Sequence, residues 1–270
     1  MQGSLIIMSH MTPSIRTENL TIRFGGHAAV NNVTCAFQPG ELTVIVGPNG
    51  AGKTTWFNLV SGQLKPTEGR IFKGETDITR MSASARAKAG IGRAFQLTNL
   101  FPKLTVLENV RLAVQAKAGQ GPSILRRASS LTDLRDKAER TLAQTRLASV
   151  AHLPASALPH GDQRKLEVAM LAAMEPDIFM FDEPTAGMSV DDVPVILDLI
   201  RTLKGEGDKT ILLVEHKMDV VKSLADRIVV LHNGRLVADG QPAEVIGSAI
   251  VQEAYLGVPA SASASEAAHG

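Results

Sequence analysis

The chain has 270 residues, 44% of them hydrophobic, so its length allows one large domain or two small ones with a sizeable core. Its 28 Lys and Arg nearly balance 27 Asp and Glu, which gives no electrostatic case for binding nucleic acid. A single cysteine, Cys35, excludes an internal disulfide and favours a reducing compartment, and no apolar run approaches the roughly 20 residues of a membrane-spanning helix.

Both ends of the chain differ from the rest in composition. We expect residues 1–12 to form a disordered leader, and they do not show the pattern of a signal peptide. We expect the Ala/Ser-rich residues 258–270 to form a disordered tail. The remaining residues, 13–257, are expected to form the folded domain.

The first elements are strands. Alternating residues predict strands at 15–24 and 29–37, joined by a Gly-Gly turn, and a third strand at 42–46. Short turns between two or three of these neighbouring strands favour a small antiparallel sheet beside the main core. Phe24, at the end of the first strand, is either an aromatic platform for adenine or part of the sheet core, and the sequence leaves both open.

A glycine-rich turn then lies between an apolar strand and a helix predicted at 56–60. This order is typical of a phosphate-binding loop, in which backbone N–H groups and the helix N-terminus surround the phosphates. Lys53 is expected to reach the β- and γ-phosphates, and Thr54 to place its hydroxyl on Mg²⁺. The loop residues are Gly47, Pro48, Asn49, Gly50, Ala51, Gly52, Lys53, Thr54 and Thr55.

Short elements follow the loop. Gly62 is expected to end the first helix, and the pattern then predicts a strand at 70–73, a turn at 74–77, a helix at 82–89 capped by Gly90, and a strand at 91–95 that ends at Gln96.

Residues 97–174 contain no convincing strand. Thr105 and Glu108 form a capping-box pattern at the start of one helix. A break at 119–122 precedes an amphipathic helix with apolar positions at Leu131, Leu134, Ala138, Leu142 and Thr145. We interpret this segment as a helical insertion.

The second half of the chain alternates again. Apolar strands are predicted at 178–181, 210–214 and 227–231, helices at 191–204, 217–225 and 243–255, and a hairpin at Asn233-Gly234. Strands that alternate with helices predict a parallel sheet covered by helices, so the fold class is α/β.

Two carboxylates end the strand at 178–181. Asp182 is the candidate ligand for Mg²⁺, opposite the phosphate loop. Glu183 follows it, and in an extended strand its side chain would point to the other side, where it could orient and deprotonate the attacking water. The alternative is a surface turn that only ends the strand.

Two further side chains end strands. His216 could hydrogen-bond the γ-phosphate and the attacking water, and Gln96 could reach the metal or the water. Each pattern is weak by itself, since polar residues at strand ends are usually structural or solvated.

Together, these motifs resemble the ATP-binding subunits of ABC transporters, in particular the branched-chain amino-acid uptake (LivG-like) family. The resemblance covers residues 15–257 and follows the family's order of motifs. It implies a RecA-like phosphate-loop NTPase core with an antiparallel β subdomain and a helical subdomain at 97–174. The motifs are Phe24-Gly25-Gly26, residues 47–55, Arg93-Ala94-Phe95-Gln96, Leu158-Pro159-His160-Gly161-Asp162-Gln163-Arg164, Asp182-Glu183, Ala186-Gly187-Met188-Ser189, Val214-Glu215-His216-Lys217-Met218 and Ala254-Tyr255-Leu256-Gly257.

Two motifs depart from the common family pattern. In the signature, usually Leu-Ser-Gly-Gly-Gln, His160 stands at the first Gly and Asp162 at the Gln. Pro159 stands where the signature usually has Ser, so it offers a γ-phosphate neither a hydroxyl nor an N–H. The resemblance implies that a second subunit's ATP contacts His160, Gly161 and Asp162 here, through backbone N–H groups and the helix dipole. Ser189 replaces the usual Asp of the D-loop, which puts inter-subunit coupling through that residue in doubt.

The resemblance implies an ATPase that uses ATP and Mg²⁺, with Glu183 as general base and Gln96 and His216 completing the site. Its implied partners are a second nucleotide-binding subunit, transmembrane permease subunits and, indirectly, a periplasmic solute-binding protein. The implied location of the chain is the cytoplasmic face of the inner membrane.

The alternative functions are urea or amide uptake, lipopolysaccharide-type export and a soluble ABC ATPase acting on nucleic acid. A phosphate-loop kinase or GTPase is disfavoured, because those proteins lack a signature helix and the guanine-binding Asn-Lys-x-Asp motif is absent.

Overall fold

The computed structural model describes residues 12–94, 100–117, 128–248 and 251, and for residues 128–131 only the helical backbone. Gln96, the predicted break at 119–122, the tail and the leader up to residue 11 lie outside these ranges.

Strands and helices follow one another largely where the sequence predicts them. The strands of the described residues are β1 Ile15–Phe24, β2 His27–Phe37, β3 Leu42–Val46, β4 Glu68–Lys73, β5 Thr76–Asp77, β6 Ile91–Ala94, β7 Ile178–Asp182, β8 Thr210–Val214, β9 Arg227–His232 and β10 Arg235–Gly240. The α-helices are α1 Lys53–Ser61, α2 Ala83–Lys88, α3 Val106–Lys117, α4 Ala128–Gln144, α5 His160–Ala173, α6 Val193–Gly205, α7 Met218–Leu224 and α8 Pro242–Ile246.

The main sheet is parallel, as predicted. Its order is β10-β9-β3-β8-β7-β6, with only β10 antiparallel to its neighbour. Every residue of β3, β7 and β8 is buried, which explains why all but one residue of each strand is apolar. Because parallel strands end at the same edge, the phosphate loop, Asp182 and the residues after β8 converge there.

A smaller antiparallel sheet, with the order β2-β1-β4-β5, lies beside it. The two sheets share one hydrophobic core with α1, in which the rings of Phe37 and Trp56 lie 5.5 Å apart. The prediction of a turn over 74–77 is wrong in part, because Thr76–Asp77 pairs with the end of β4 as a short edge strand.

The helical insertion consists of α3, α4 and α5, which pack around their own apolar core. One half of the predicted capping box forms at the start of α3, where the N–H of Glu108 donates to Oγ1 of Thr105 at 3.1 Å, while the Glu108 carboxylate accepts hydrogen bonds from Arg111. Within the described parts of 97–174 no strand forms, apart from a single bridge between Thr105 and Pro154. None of the helices described is both long and apolar enough to cross a membrane.

The C-terminal elements confirm one prediction and correct another. Asn233 and Gly234 both have left-handed φ angles, 49° and 74°, as a tight hairpin between β9 and β10 requires. The continuous helix predicted over 243–255 is wrong, since α8 ends at Ile246. There the Ser248 hydroxyl donates to the Val245 carbonyl at 2.7 Å, and this local bond competes with helix propagation.

A buried arginine fixes the end of α1 that lies away from the phosphate loop. Arg86 is 1% exposed and donates to the carbonyls of Leu59 and Val60 at 2.6 and 2.7 Å. It also reaches the Thr79 carbonyl at 2.9 Å. Burial lowers the pKa of Arg86 to about 10, so its guanidinium stays charged near neutral pH. The positive charge therefore lies at the negative end of the helix dipole.

We predict that Arg86→Met lowers the free energy of unfolding by about 2–4 kcal/mol, because several buried carbonyls lose their donor. Chemical denaturation monitored by circular dichroism measures this. The exposed neighbour Arg80 provides the control, and Arg80→Met is expected to change stability by less than about 0.5 kcal/mol. Equal stability of the two variants would contradict the assigned role.

Candidate functional site

The phosphate loop connects β3 to α1 and is held in place by β2 and by the β9–β10 hairpin. Gly52 has φ 98°, and a Cβ at this position would lie 2.4 Å from the carbonyl oxygen of Ala29 in β2. The N–H of Gly234, at the tip of the β9–β10 hairpin, donates to the carbonyl of Ala51 at 3.0 Å. The small sheet and the hairpin therefore fix the curvature of the loop.

The Lys53 side chain folds back over the loop. Its Nζ donates to the carbonyl oxygens of Gly47 at 2.6 Å and Pro48 at 3.0 Å. Burial lowers the pKa of Lys53, against the opposing effect of the nearby carboxylates of Glu183 and Asp182. The lysine charge thus lies in the loop concavity, close to both carboxylates.

The first turn of α1 is suited to an anion. It contains no acidic residue, and Thr54 is exposed at its start while Thr55 is partly buried. The N-terminal N–H groups of a helix and its dipole favour negative charge, and Thr54 adds a hydroxyl oxygen.

Asp182 ends β7 and is almost fully buried. Its Oδ2 accepts a hydrogen bond from Nη2 of Arg93, in β6, at 2.8 Å. Its Oδ1 has no hydrogen-bond partner among the described residues. Burial raises the pKa of Asp182, and the charge of Arg93 opposes that rise.

Glu183 does not continue the strand, which corrects the predicted extended geometry. Its φ is +51°, a left-handed conformation that is uncommon for residues with a Cβ and costs about 1–2 kcal/mol. The turn is held by the Glu183 N–H, which donates to the Val214 carbonyl at 3.0 Å, and by the Ala186 N–H, which donates to the Glu183 carbonyl at 3.1 Å. The carboxylate is therefore placed by a turn and not by strand alternation.

The structure brings Glu183 and His216 together. Oε1 of Glu183 lies 2.7 Å from Nε2 of His216, and both side chains are about one-third exposed. Buried Glu215 supports the histidine: it accepts a hydrogen bond from the backbone N–H of His216 at 3.1 Å and one from the Thr185 hydroxyl at 2.6 Å. A carboxylate and an imidazole in this arrangement can bind and orient a water molecule.

The segment predicted to be the signature begins α5 at His160, directly after Pro159. No side chain caps this N-terminus, and His160 is exposed. Gly161 and Asp162 follow in the first turn, and the Asp162 carboxylate accepts a hydrogen bond from Lys165 at 2.9 Å. The open N–H groups are compatible with the predicted backbone contact to an anion.

Lys165 also joins this helix to the predicted D-loop. Its Nζ forms a second ion pair with Asp192, which in turn accepts a hydrogen bond from the Ser189 hydroxyl at 2.8 Å. The serine that replaces the usual D-loop aspartate therefore has a partner within its own chain.

Phe24 ends β1 with 52% of its surface exposed, beside the Gly25-Gly26 turn. This exposure contradicts the alternative that Phe24 belongs to the sheet core and leaves the aromatic-platform prediction. The predicted role of Gln96 cannot be located, because that residue lies outside the described residues.

The donors present fit Mg²⁺ and a nucleotide. Mg²⁺ prefers oxygen ligands and is commonly bound through one or two carboxylates together with substrate phosphates. Asp182 offers its buried Oδ1, which has no partner among the residues that the structure describes, and Thr54 offers a hydroxyl. Within the described residues no cluster of three His, Cys, Asp or Glu exists that could hold a metal ion without a phosphate ligand.

In the sequence, Arg93 is recognisable only as part of a family motif, which assigns it no role. In the structure, Nη1 of Arg93 donates to Asn58 Oδ1 at 2.6 Å and Ser61 Oγ at 3.1 Å, and Nη2 reaches Asp182. A charged residue within a short, otherwise small and apolar strand is the signal that could have identified it.

The chain is similar to known proteins over most of its length. The family model described as "ABC transporter" matches residues 30–186. The high-affinity branched-chain amino acid transport ATP-binding protein LivG of Escherichia coli strain K12 is 38% identical over 91% of this chain and 98% of its own length.

Two solved structures are also similar. One is the ADP conformation of MJ1267, an ATP-binding cassette of an ABC transporter, with a TM-score of 0.76 and 29% identity over 91% of this chain and 99% of that one. The other is the dimeric post-hydrolysis state of the cassette MJ0796 bound to ADP and Pi, with a TM-score of 0.73 and 27% identity over 84% of this chain and 98% of that one.

We predict that Gly52→Ala destabilises the protein by several kcal/mol more than Gly50→Ala. Both positions have positive φ, which costs alanine about 1–2 kcal/mol, but only the Cβ at Gly52 meets a backbone carbonyl. The Cβ at Gly50 meets nothing within 4 Å, so this variant is the matched control. Urea denaturation measures both, and equal losses would contradict the steric role of Ala29.

Proposed function

The chain belongs to the ABC transporter family as an ATP-binding cassette ATPase, and we propose that it powers the uptake of branched-chain or other amino acids through separate membrane subunits. The observation that carries this proposal is the convergence of the phosphate loop, Asp182 and the Glu183–His216 pair at one sheet edge. The amino-acid substrate is supported by the name of the E. coli relative that is similar over most of the chain.

Each charged group has a role in hydrolysis. Lys53 leaves its loop carbonyls to bind the β- and γ-phosphates, while the N–H groups of the loop and α1 surround them. Thr54 and Asp182 hold Mg²⁺, which supplies neutralisation of charge on the phosphate oxygens. Glu183 accepts the proton of the attacking water, and His216 holds the water and the γ-phosphate in line. Gln96 is assigned to the metal and water by family resemblance alone.

Two cassettes complete each site. The dimeric relative supports the pairing of two cassettes. The family resemblance assigns the N-terminus of α5 to the nucleotide of the second subunit. Gly161 and Asp162 offer backbone N–H groups there, and exposed His160 adds an imidazole. Pro159 contributes neither a hydroxyl nor an N–H. The helix dipole therefore carries more of this contact than in a signature with serine. Phe24 stacks on the adenine ring, for which its exposed position is suitable.

The partners follow from the function proposed. Permease subunits provide the membrane path and grip the helical subdomain, and a periplasmic binding protein supplies the solute. The chain is a peripheral subunit at the cytoplasmic face of the inner membrane and binds no nucleic acid. Urea or amide uptake and lipopolysaccharide-type export are the alternative transport functions. The experiment below separates urea uptake from amino-acid uptake.

We predict that the chain, purified with its permease subunits in lipid vesicles, hydrolyses ATP faster when the binding protein is loaded with leucine than when urea replaces leucine.

In this complex Glu183→Gln is expected to lower hydrolysis by at least about 100-fold while ATP binding is retained, because general-base catalysis contributes about 10²–10⁴-fold. Phosphate release and ATP binding are measured separately. The exposed Glu206→Gln is the control and should hydrolyse ATP at the wild-type rate.

Two outcomes would contradict this account at different levels. Stimulation by urea and not by leucine would overturn the substrate and leave the ATPase assignment intact. Hydrolysis by Glu183→Gln at the wild-type rate would overturn the assignment of the general base.

A further inference from the structure

Arg93 makes a set of buried contacts that the proposed hydrolysis does not use. Its side chain is 6% exposed and pairs with a fully buried Asp182 carboxylate at 2.8 Å. A second group of contacts anchors it to α1, through Asn58 at 2.6 Å, Ser61 at 3.1 Å and the face of the Phe57 ring at 5.6 Å from the centroid. One guanidinium therefore connects the proposed metal carboxylate with the helix that follows the phosphate loop.

The electrostatic reason for this pair is the depth of Asp182. A carboxylate that is removed from water needs a counter-charge, and leaving it without one is strongly unfavourable. Arg93 supplies that charge to Oδ2, while Oδ1 has no hydrogen-bond partner among the residues described. Before nucleotide binds, Oδ2 is thus paired with Arg93, and Oδ1 is available to a cation.

We propose that Arg93 is the counter-ion of Asp182 when no nucleotide is bound, and that it thereby makes binding of the metal depend on binding of ATP. This inference rests on the proposed role of Asp182 as the Mg²⁺ carboxylate. A divalent cation alone meets a carboxylate that Arg93 already neutralises, so the cation binds only weakly. With ATP, the phosphates supply the additional negative charge that the cation requires.

The anchoring of Arg93 makes this arrangement reversible. Asn58 and Ser61 hold the guanidinium even when Asp182 turns its charge toward a cation, so Arg93 returns to the carboxylate once the nucleotide leaves. Its planar fork is suited to this double contact, since two nitrogens reach different partners at once, whereas a lysine would present a single point charge. Arg93 is in this sense a positioning residue for the metal carboxylate.

Titration of Mn²⁺ into the full-length chain without nucleotide, followed by electron paramagnetic resonance, tests the proposal. We expect Arg93→Met to bind Mn²⁺ at least roughly tenfold more tightly than the wild type, because Asp182 is left without its counter-ion. Addition of Asp182→Asn to this variant should abolish the increase in Mn²⁺ affinity. An Arg93→Met affinity equal to or weaker than that of the wild type would overturn the proposal.

Two further variants keep the test decisive. Arg86→Met removes another buried arginine that contacts α1 but hydrogen-bonds only backbone carbonyls, so it should lose stability without a change in Mn²⁺ affinity. If Arg93→Met does not fold, Arg93→Lys serves in its place. It keeps a charge but cannot maintain both sets of contacts, and it is expected to bind Mn²⁺ severalfold more tightly than the wild type; an unchanged affinity would overturn the proposal.

Failure of the underlying metal site gives a different result. Asp182→Asn alone should remove most of the effect of Mn²⁺ on ATP binding. If Mn²⁺ strengthens ATP binding equally in this variant and the wild type, Asp182 is not the metal carboxylate. If Asp182→Asn removes the effect but Arg93→Met leaves the affinity for Mn²⁺ alone unchanged, only the role of Arg93 is wrong.

Discussion

The burial of the Asp182 carboxylate is the constraint on which the site depends. A charged group at the end of a fully buried strand requires a partner, and Arg93 supplies it from the neighbouring strand. The other charges are paired as well, Lys53 with loop carbonyls and Glu183 with His216. These contacts thus hold each reactive side chain near its proposed catalytic position, and contacts with a bound nucleotide can replace them.

The fold makes these contacts possible by bringing distant segments to one edge. The parallel order of β3, β8 and β7 places the phosphate loop, His216 and Asp182 side by side, although His216 follows the last loop residue, Thr55, by 161 residues of sequence (216 − 55). The hairpin tip at Gly234 and strand β2 support the loop from one side, and Arg86 fixes the far end of α1. Rigidity of the loop therefore arises from elements outside the phosphate site itself.

Most of the fold could be predicted from the sequence, because apolar runs, glycine turns and capping residues are local signals. The phosphate loop and the β9–β10 hairpin were predictable in this way, as was the helical insertion. The pairing of Asp182 with Arg93 could not be predicted, because a contact between side chains of neighbouring strands leaves no local pattern in one sequence. The left-handed turn at Glu183 depends on backbone hydrogen bonds, and the early end of α8 depends on a hydrogen bond from the Ser248 hydroxyl to a backbone carbonyl. Strand or helix periodicity reveals neither of these contacts. The roles of the site residues in ATP hydrolysis stay predictions.

The most direct measurement of the central claim is a crystal structure of Glu183→Gln with Mg²⁺ and ATP. The account predicts Lys53 Nζ on phosphate oxygens instead of the Gly47 and Pro48 carbonyls, Asp182 turned toward the metal, and Arg93 still bound to Asn58. It also predicts the α5 N-terminus of a second chain at the γ-phosphate. A nucleotide bound away from the loop, or a Lys53 side chain still on its loop carbonyls with ATP in place, would contradict it.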